Sequence, residues 1–256
     1  MGTAALSGLA GRVVIVTGAA AGIARATAFA FGREGAHVVG VDVDGDGLAT
    51  LTSELGELGV DAAPVVADVT TADGARAVTD AALDRFGCID ALANVVGGSR
   101  PGQTVAELDE ADWERVLTLN LTSVYQMCRA VVPAMVAGSG GAVVNVSSGA
   151  GLRGMRRNPA YAAAKAGVVG FTRALAIDHG PAGVRVNCVA PGAVLTPLMR
   201  RNRTDDEIAY IAAQSLVGHV ASPDEVAAVI VFLCSDQASY VMGQTISVDG
   251  GTASAV

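Results

Sequence analysis

The sequence is poor in aromatic residues (4%, with a single Trp), in charge (16%) and in lysine, of which there is one, Lys165, among 17 basic residues. So few rings leave no stacking platform for single-stranded nucleic acid. A net charge of −8 and a pI near 4.8 exclude the electrostatic footprint of a polyanion binder. Low charge with 51% hydrophobic residues is the opposite of a disordered composition. The 32 glycines follow no G-X-Y period, which excludes a collagen-like fibre. Mean hydropathy is +0.46, yet Thr17, Gly18, Gly22 and Arg25 break the longest apolar stretch, so no run reaches the ~20 residues of a membrane span. The first twelve residues, MGTAALSGLAGR, lack the charged start and apolar core of a signal peptide, and a cytoplasmic location is expected. Cys88, Cys128, Cys188 and Cys234 lie far apart, mostly in apolar runs, and read as buried free thiols. His37, His179 and His219 have no ligand-like spacing to one another or to a cysteine, so no metal is expected.

What is present is an alternation. Short β-branched runs at 12–17 (RVVIVT), 36–41, 62–67, 89–93, 141–147, 183–189 and 245–248 read as strands. Helical spacing fills 22–33, about 46–58, 73–86, a long stretch 111–136 with Pro133 near its end, 160–179 and 223–233. Ser222 and Pro223 supply the cap and first turn of the last helix. Continuous apolar strands mean burial on both faces. The expectation is therefore one α/β domain spanning 1–256: a Rossmann-like, doubly wound parallel sheet of about seven strands with helices on both faces. Residues 193–221 break the rhythm as one insertion. Its apolar residues Leu195, Leu198, Met199, Ile208, Ile211 and Leu216 suit a lid, and Arg201 and Arg203 stand four before Asp205 and Glu207, as helix-surface pairs do.

The first strand runs directly into Thr17-Gly18-Ala19-Ala20-Ala21-Gly22-Ile23-Ala24. Gly18 permits a tight turn, and Gly22 lets backbone approach a pyrophosphate at the next helix N-terminus, where free N–H groups and the helix dipole favour an anion. Asp42 follows some 24 residues after Gly18, at the end of the next strand, where an acid accepts hydrogen bonds from an adenosine ribose. A 2′-phosphate there would meet Asp42 and Asp44, and the loop itself holds no Arg or Lys, so NAD is expected rather than NADP. Tyr161 and Lys165 lie one helical turn apart and share a face, where an ammonium can lower a phenol's pKa.

From Thr17 to Thr196 the motifs resemble, in order, those of the short-chain dehydrogenase/reductase family. Thr17 to Ala24 is similar to its TGxxxGIG element, with Ala24 in place of the third glycine. Asp68 and Val69 resemble the pair that contacts adenine. Asn94-Val95-Val96-Gly97 resembles its NNAG element, with Val95 in place of the second Asn, whose side-chain amide would help to steady the central strand. Asn120 in LTLNLTSVY matches the catalytic Asn, Ser148 the catalytic Ser, and Tyr161 and Lys165 the YxxxK motif. Pro191, Gly192, Val194 and Thr196 fall in the PGxxxT segment that holds the nicotinamide amide. The resemblance implies nucleotide contacts at Gly18, Ala21, Gly22, Ile23, Asp42, Asp68, Val69, Asn94, Gly97, Tyr161, Lys165, Pro191, Gly192, Val194 and Thr196. It also implies hydride transfer between the cofactor and a secondary alcohol or ketone. Tyr161 would be the general acid/base, Lys165 would tune it and hold the ribose, Ser148 would bind the substrate oxygen, and Asn120 would anchor a proton-supplying water chain. A homotetramer is the family expectation. Two other functions stay open: an NADPH-dependent 3-oxoacyl thioester reductase, against which Asp42 speaks, and a non-catalytic dinucleotide sensor. Substrate choice should lie in 98–103, 149–160 and 193–221. The second holds Arg153, Arg156 and Arg157 with no acid nearby in sequence, and the first adds Arg100. Some of these are expected to face the cleft mouth and favour an anionic substrate.

Overall fold

The computed structural model describes residues 8–99 and 101–252. Seven strands form one parallel sheet: β1 (Val13–Thr17), β2 (His37–Asp42), β3 (Ala62–Val66), β4 (Ala91–Asn94), β5 (Gly141–Val146), β6 (Val184–Pro191) and β7 (Thr245–Val248). Their spatial order is β3-β2-β1-β4-β5-β6-β7. The order reverses between β1 and β4, where Thr17 sits level with Val41 on one side and Asn94 on the other. Crossovers leave this point in opposite directions, which opens a crevice at the carboxyl ends of the strands. The expected Rossmann-like sheet is the one observed.

Alternate residues of each strand feed two cores, which is why the strands read as unbroken apolar runs. Val14, Val16, Val38 and Val144 pack against α1 (Gly22–Arg33), α2 (Gly45–Glu57) and α10 (Pro223–Cys234) through Phe31, Leu51 and Ile230. Val13, Ile15, Val39 and Val143 face α3 (Ala72–Phe86), α5 (Ser123–Ala137) and α7 (Pro159–His179) through Val78, Met127 and Val168. Val226, Ala227, Ile230, Val231 and Leu233 of α10 are buried within the chain, so this apolar face is core. Pro64 is tolerated because β3 is an edge strand.

Three departures bear on the site. The stretch expected as one helix over 111–136 is α4 (Glu110–Leu117), a π-helical turn (Thr118–Thr122) and α5, with Pro133 inside α5. The segment after β5 contains a short helix, α6 (Gly149–Arg153), too brief to show periodicity. Residues 193–221 hold α8 (Pro197–Asn202) and α9 (Asp205–Ala213), and their base is closed by a parallel bridge between Val194 and Ala221. Because α8 ends at Asn202, Arg201 and Asp205 share no helix; the Arg203–Glu207 pair forms at 2.9 Å. Cys128, Cys188 and Cys234 are buried free thiols as expected, but Cys88 is exposed beside Asp90.

Candidate active site

At the switch point Thr17 ties two strand exits together. Its hydroxyl accepts from the amides of Val95 (3.0 Å) and Val96 (3.2 Å). The chain then turns through Gly18 at φ +78°, and a Cβ there would lie 3.3 Å from Val96 Cα. Gly22, at φ +60°, opens α1 and faces the Thr196 methyl, which a Cβ would meet at 3.4 Å. The α1 N-cap, Ala21, offers no side-chain acceptor, and no acid stands in the first turn. Those first N–H groups are left for an external anion, as a pyrophosphate requires. Ile23 packs half-buried on the core, and the extra methyl of Ala24 is absorbed there.

Asp42 closes the adenosine side. One carboxylate oxygen accepts from Ala20 N (3.1 Å), the other from Val43 N (2.8 Å) and Asp44 N (3.1 Å), fixing its orientation with lone pairs to spare. Asp44 caps α2 through Gly47 N (3.0 Å). Two cations approach that the motif did not disclose: Arg25 and Arg33 of α1 share a cleft with Ala20, Ala21 and Gly22, but Arg25 pairs with Glu54 at 2.5 Å and Arg33 with Asp224 at 3.8 Å. Asp68 and Val69 follow β3. The Asp68 carboxylate accepts from Thr70, and Val69 is buried in the core.

The four catalytic candidates come from three places in the fold. Ser148, just beyond β5, caps α6 and accepts from Ala150 N at 3.2 Å. Tyr161 and Lys165 lie one turn apart at the start of α7. Lys165 is 2% exposed; its Nζ donates to Val146 O (2.8 Å) and lies 5.8 Å from the Tyr161 ring centre. Burial drives its pKa down to about 8. Burial also pushes the Tyr161 phenol above its ordinary value, and the neighbouring Ser148 hydroxyl pulls the other way. The net direction is upward, opposite to the lowering expected, because burial outweighs what the neighbouring groups contribute. Asn120 occupies the π-helical turn, fully buried. Its Nδ2 donates to Gly98 O (2.8 Å) and Val116 O (2.9 Å), and its Oδ1 accepts from Gly98 N (3.0 Å). Irregular helical turns of this kind concentrate at functional sites.

Gly97 is where these parts meet. A Cβ there would fall 2.7 Å from Asn120 Oδ1 and 3.0 Å from Lys165 Nζ. The Gly97→Ala variant is therefore expected to lose about tenfold or more in kcat/KM while its melting temperature moves by no more than about 4 °C. Steady-state kinetics beside a thermal melt separates the two effects. Two supporting residues have no motif to announce them. The Ser147 hydroxyl donates to Lys165 O (2.7 Å), binding α7 to the end of β5. Asn145 accepts from Asn94 Nδ2 (2.9 Å) and donates to Thr172 (3.0 Å), making a polar rung through the core. Asn94 Oδ1 stays buried without a partner among the described residues, in keeping with an apolar Val95 beside it.

Gly192, at the end of β6, donates to Val248 O (3.0 Å); Val194 is buried at the lid base; and Thr196 caps α8. Between α6, this segment and the lid lies a pocket of about 480 Å³ that reaches Ser148. Of the four arginines, some of which were expected at the cleft mouth, Arg153 lines it. Arg157, at φ +54°, is held away: it donates to Gly102 O (2.6 and 2.9 Å) and pairs with Glu107 (2.8 Å), an acid far off in sequence. Arg156 is exposed outside the pocket, and Arg100 lies outside the described residues. Among the described residues no helix is long and apolar enough to cross a membrane, and no three metal-ligating side chains converge.

A family model described as enoyl-(acyl carrier protein) reductase matches residues 18–253. The chain is 40% identical over 245 residues to a 3-oxoacyl-(acyl-carrier-protein) reductase of Thermotoga maritima, covering 95% of this chain and 98% of that one. It is 42% identical over 240 residues to the cis-4-hydroxycyclohexanecarboxylate dehydrogenase of Sinomonas cyclohexanicum, covering 94% and 96%. Among solved structures, the L-sorbose reductase of Gluconobacter frateurii, complexed with NADPH and L-sorbose, superposes with a TM-score of 0.91 at 32% identity, covering 97% of this chain and 98% of that one. With relatives matched from end to end and a sheet that reverses at the glycine-rich turn, the chain belongs to the short-chain dehydrogenase/reductase family of oxidoreductases, which bind a nicotinamide dinucleotide.

Proposed function

We propose that the protein is a single-domain NAD-dependent dehydrogenase that oxidises a secondary alcohol to its ketone. The convergence of Tyr161, Ser148, Lys165 and Asn120 at the carboxyl edge of the sheet carries the reading. A dinucleotide sensor without turnover has no need of all four. Bound NAD supplies the hydride acceptor. Gly18, Ala21, Gly22 and Ile23 take the pyrophosphate, and Asp42, Asp68 and Val69 the adenosine. Asn94 and Gly97 shape the floor, Lys165 holds the nicotinamide ribose, and Pro191, Gly192, Val194 and Thr196 hold the amide. The Ser148 hydroxyl donates to the substrate oxygen. Tyr161 Oη, as phenolate, accepts the alcohol proton, and the Lys165 ammonium stabilises that anion. Asn120, held by Gly98, anchors the path by which the proton leaves.

Asp42 supports NAD over NADP: a 2′-phosphate would stand against a carboxylate already fixed by three amides. The competing reading, an NADPH-dependent 3-oxoacyl thioester reductase, draws on the Thermotoga relative and on Arg25, which could meet a phosphate if it left Glu54. Titrating wild type and Asp42→Ala with both reduced nucleotides separates them. NADH should bind at least about tenfold tighter than NADPH, and Asp42→Ala should narrow that gap. A wild-type preference for NADPH would overturn the NAD assignment. The same reading gives a cytoplasmic homotetramer. Exposed Trp113 on α4 and Tyr125 on α5, the latter edge-on to Phe171 of α7 at 6.4 Å, support a two-fold contact there.

A further inference from the structure

Resting on the dehydrogenase reading, we propose that the substrate is a compact hydroxy acid whose carboxylate is bound by Arg153. The side chain of Arg153 folds back along α6, so that Nη2 and Nε lie 3.7 and 3.9 Å from where a Cβ at Gly149 would stand. Gly149 is the residue after Ser148, so the guanidinium lies in contact range of the reacting end of the pocket. Nη1 donates to Thr252 O at 2.9 Å, a neutral acceptor, and no carboxylate among the described residues pairs with Arg153. A guanidinium has five N–H donors in a planar fork, the match for a carboxylate.

The other charged groups on the pocket wall are occupied. Glu225 pairs with His219 at 2.9 Å and accepts from Ser222 N at 2.7 Å, while Asp249 accepts from Gly251 N at 3.0 Å. Met155, Ile211, Val217, Val220 and Val248 make much of the remaining wall apolar. The pocket thus offers a hydroxyl at Ser148, an apolar body and a guanidinium with no carboxylate partner among the described residues. A volume of about 480 Å³ equals roughly 16 waters at ~30 Å³ each, which suits a small ring or branched chain bearing a carboxylate.

The test compares 3-hydroxycyclohexanecarboxylate with its methyl ester as substrates for the holoenzyme. Wild type should favour the acid by about tenfold or more in kcat/KM; Arg153→Gln should bring the ratio near one, mainly by raising KM for the acid, and Arg153→Lys should restore part of it. Equal use of acid and ester by wild type, or an unchanged ratio in Arg153→Gln, overturns the proposal. If neither alcohol is oxidised, the dehydrogenase reading fails on its own terms, and calorimetry still decides the site. Cyclohexanecarboxylate must bind the nucleotide-loaded protein more tightly than cyclohexanecarboxamide, and only while Arg153 is present; equal binding overturns it. An Arg153-dependent preference for a 3-oxoacyl thioester of a phosphorylated pantetheine over both cyclohexane substrates would assign the guanidinium to a phosphate and likewise overturn the carboxylate.

Discussion

The Tyr161→Phe variant is expected to lose about 10²–10⁴-fold in kcat, the usual worth of one positioned acid/base group. Only the phenolic oxygen is removed. The ring still fills its place at the start of α7, and Lys165, 5.8 Å from the ring centre, keeps its bond to Val146. Ser148 cannot take over, because an alkyl hydroxyl is far too weak an acid to serve as the ionised base. Nucleotide binding, followed by fluorescence, should persist, so the loss belongs to the chemical step. A fall in kcat of less than about tenfold would mean that another group moves the proton.

Lys165→Met is expected to abolish measurable turnover and to make the protein more stable at neutral pH. The lysine is a charge held 2% exposed, at a cost in solvation. Moving its pKa from 10.5 to about 8 corresponds to roughly 3 kcal/mol of desolvation cost while the group is charged. The substitution removes that cost and leaves the Val146 carbonyl unpaired, a loss of about 1–3 kcal/mol. The balance is a gain near 1 kcal/mol, or roughly 2–4 °C in Tm for a chain of this size. The sign fixes the pH window. The folded form holds its proton less tightly than the unfolded form, so wild type gains stability as pH rises from about 8 to 10.5. The advantage of Lys165→Met should be full at pH 7 and shrink across that interval. Thermal melts at pH 7 and pH 10 check this; a variant less stable than wild type at pH 7 would show that the hydrogen bond outweighs the buried charge. Activity follows a different profile. Alcohol oxidation needs the phenolate of Tyr161 and so climbs with pH until Lys165 begins to lose its charge near 8.

Most of the sheet was legible because its five inner strands are buried on both faces and separated by helices of ordinary length. The motifs at Gly18, Asn120, Ser148, Tyr161 and Lys165 were legible for a different reason: each marks a fixed place relative to a strand end. What escaped is instructive. α6 is five residues long, shorter than two helical periods, and the π-helical turn at Thr118–Thr122 adds one residue to a register that the apolar pattern alone does not resolve. Ser147 and Asn145 act through contacts to residues 18 and 27 positions away, and no local spacing reports those. The four arginines looked alike in sequence; pairing with Glu107 separates Arg157 from Arg153, and that acid lies 50 residues off.

The bridge between Val194 and Ala221 has a consequence for how such a protein can change. It pins both ends of residues 197–220 at one spot beside the sheet, so the intervening chain is a cassette with a common plug. Its length and sequence can vary at small entropic expense, since doubling a closed loop costs only about 0.6 kcal/mol. None of the elements that carry Ser148, Tyr161 or Asp42 has to shift when it does. Grafting a foreign 197–220 segment onto the same two anchors, with Thr196 kept, is thus a route to new substrate choice on unaltered chemistry.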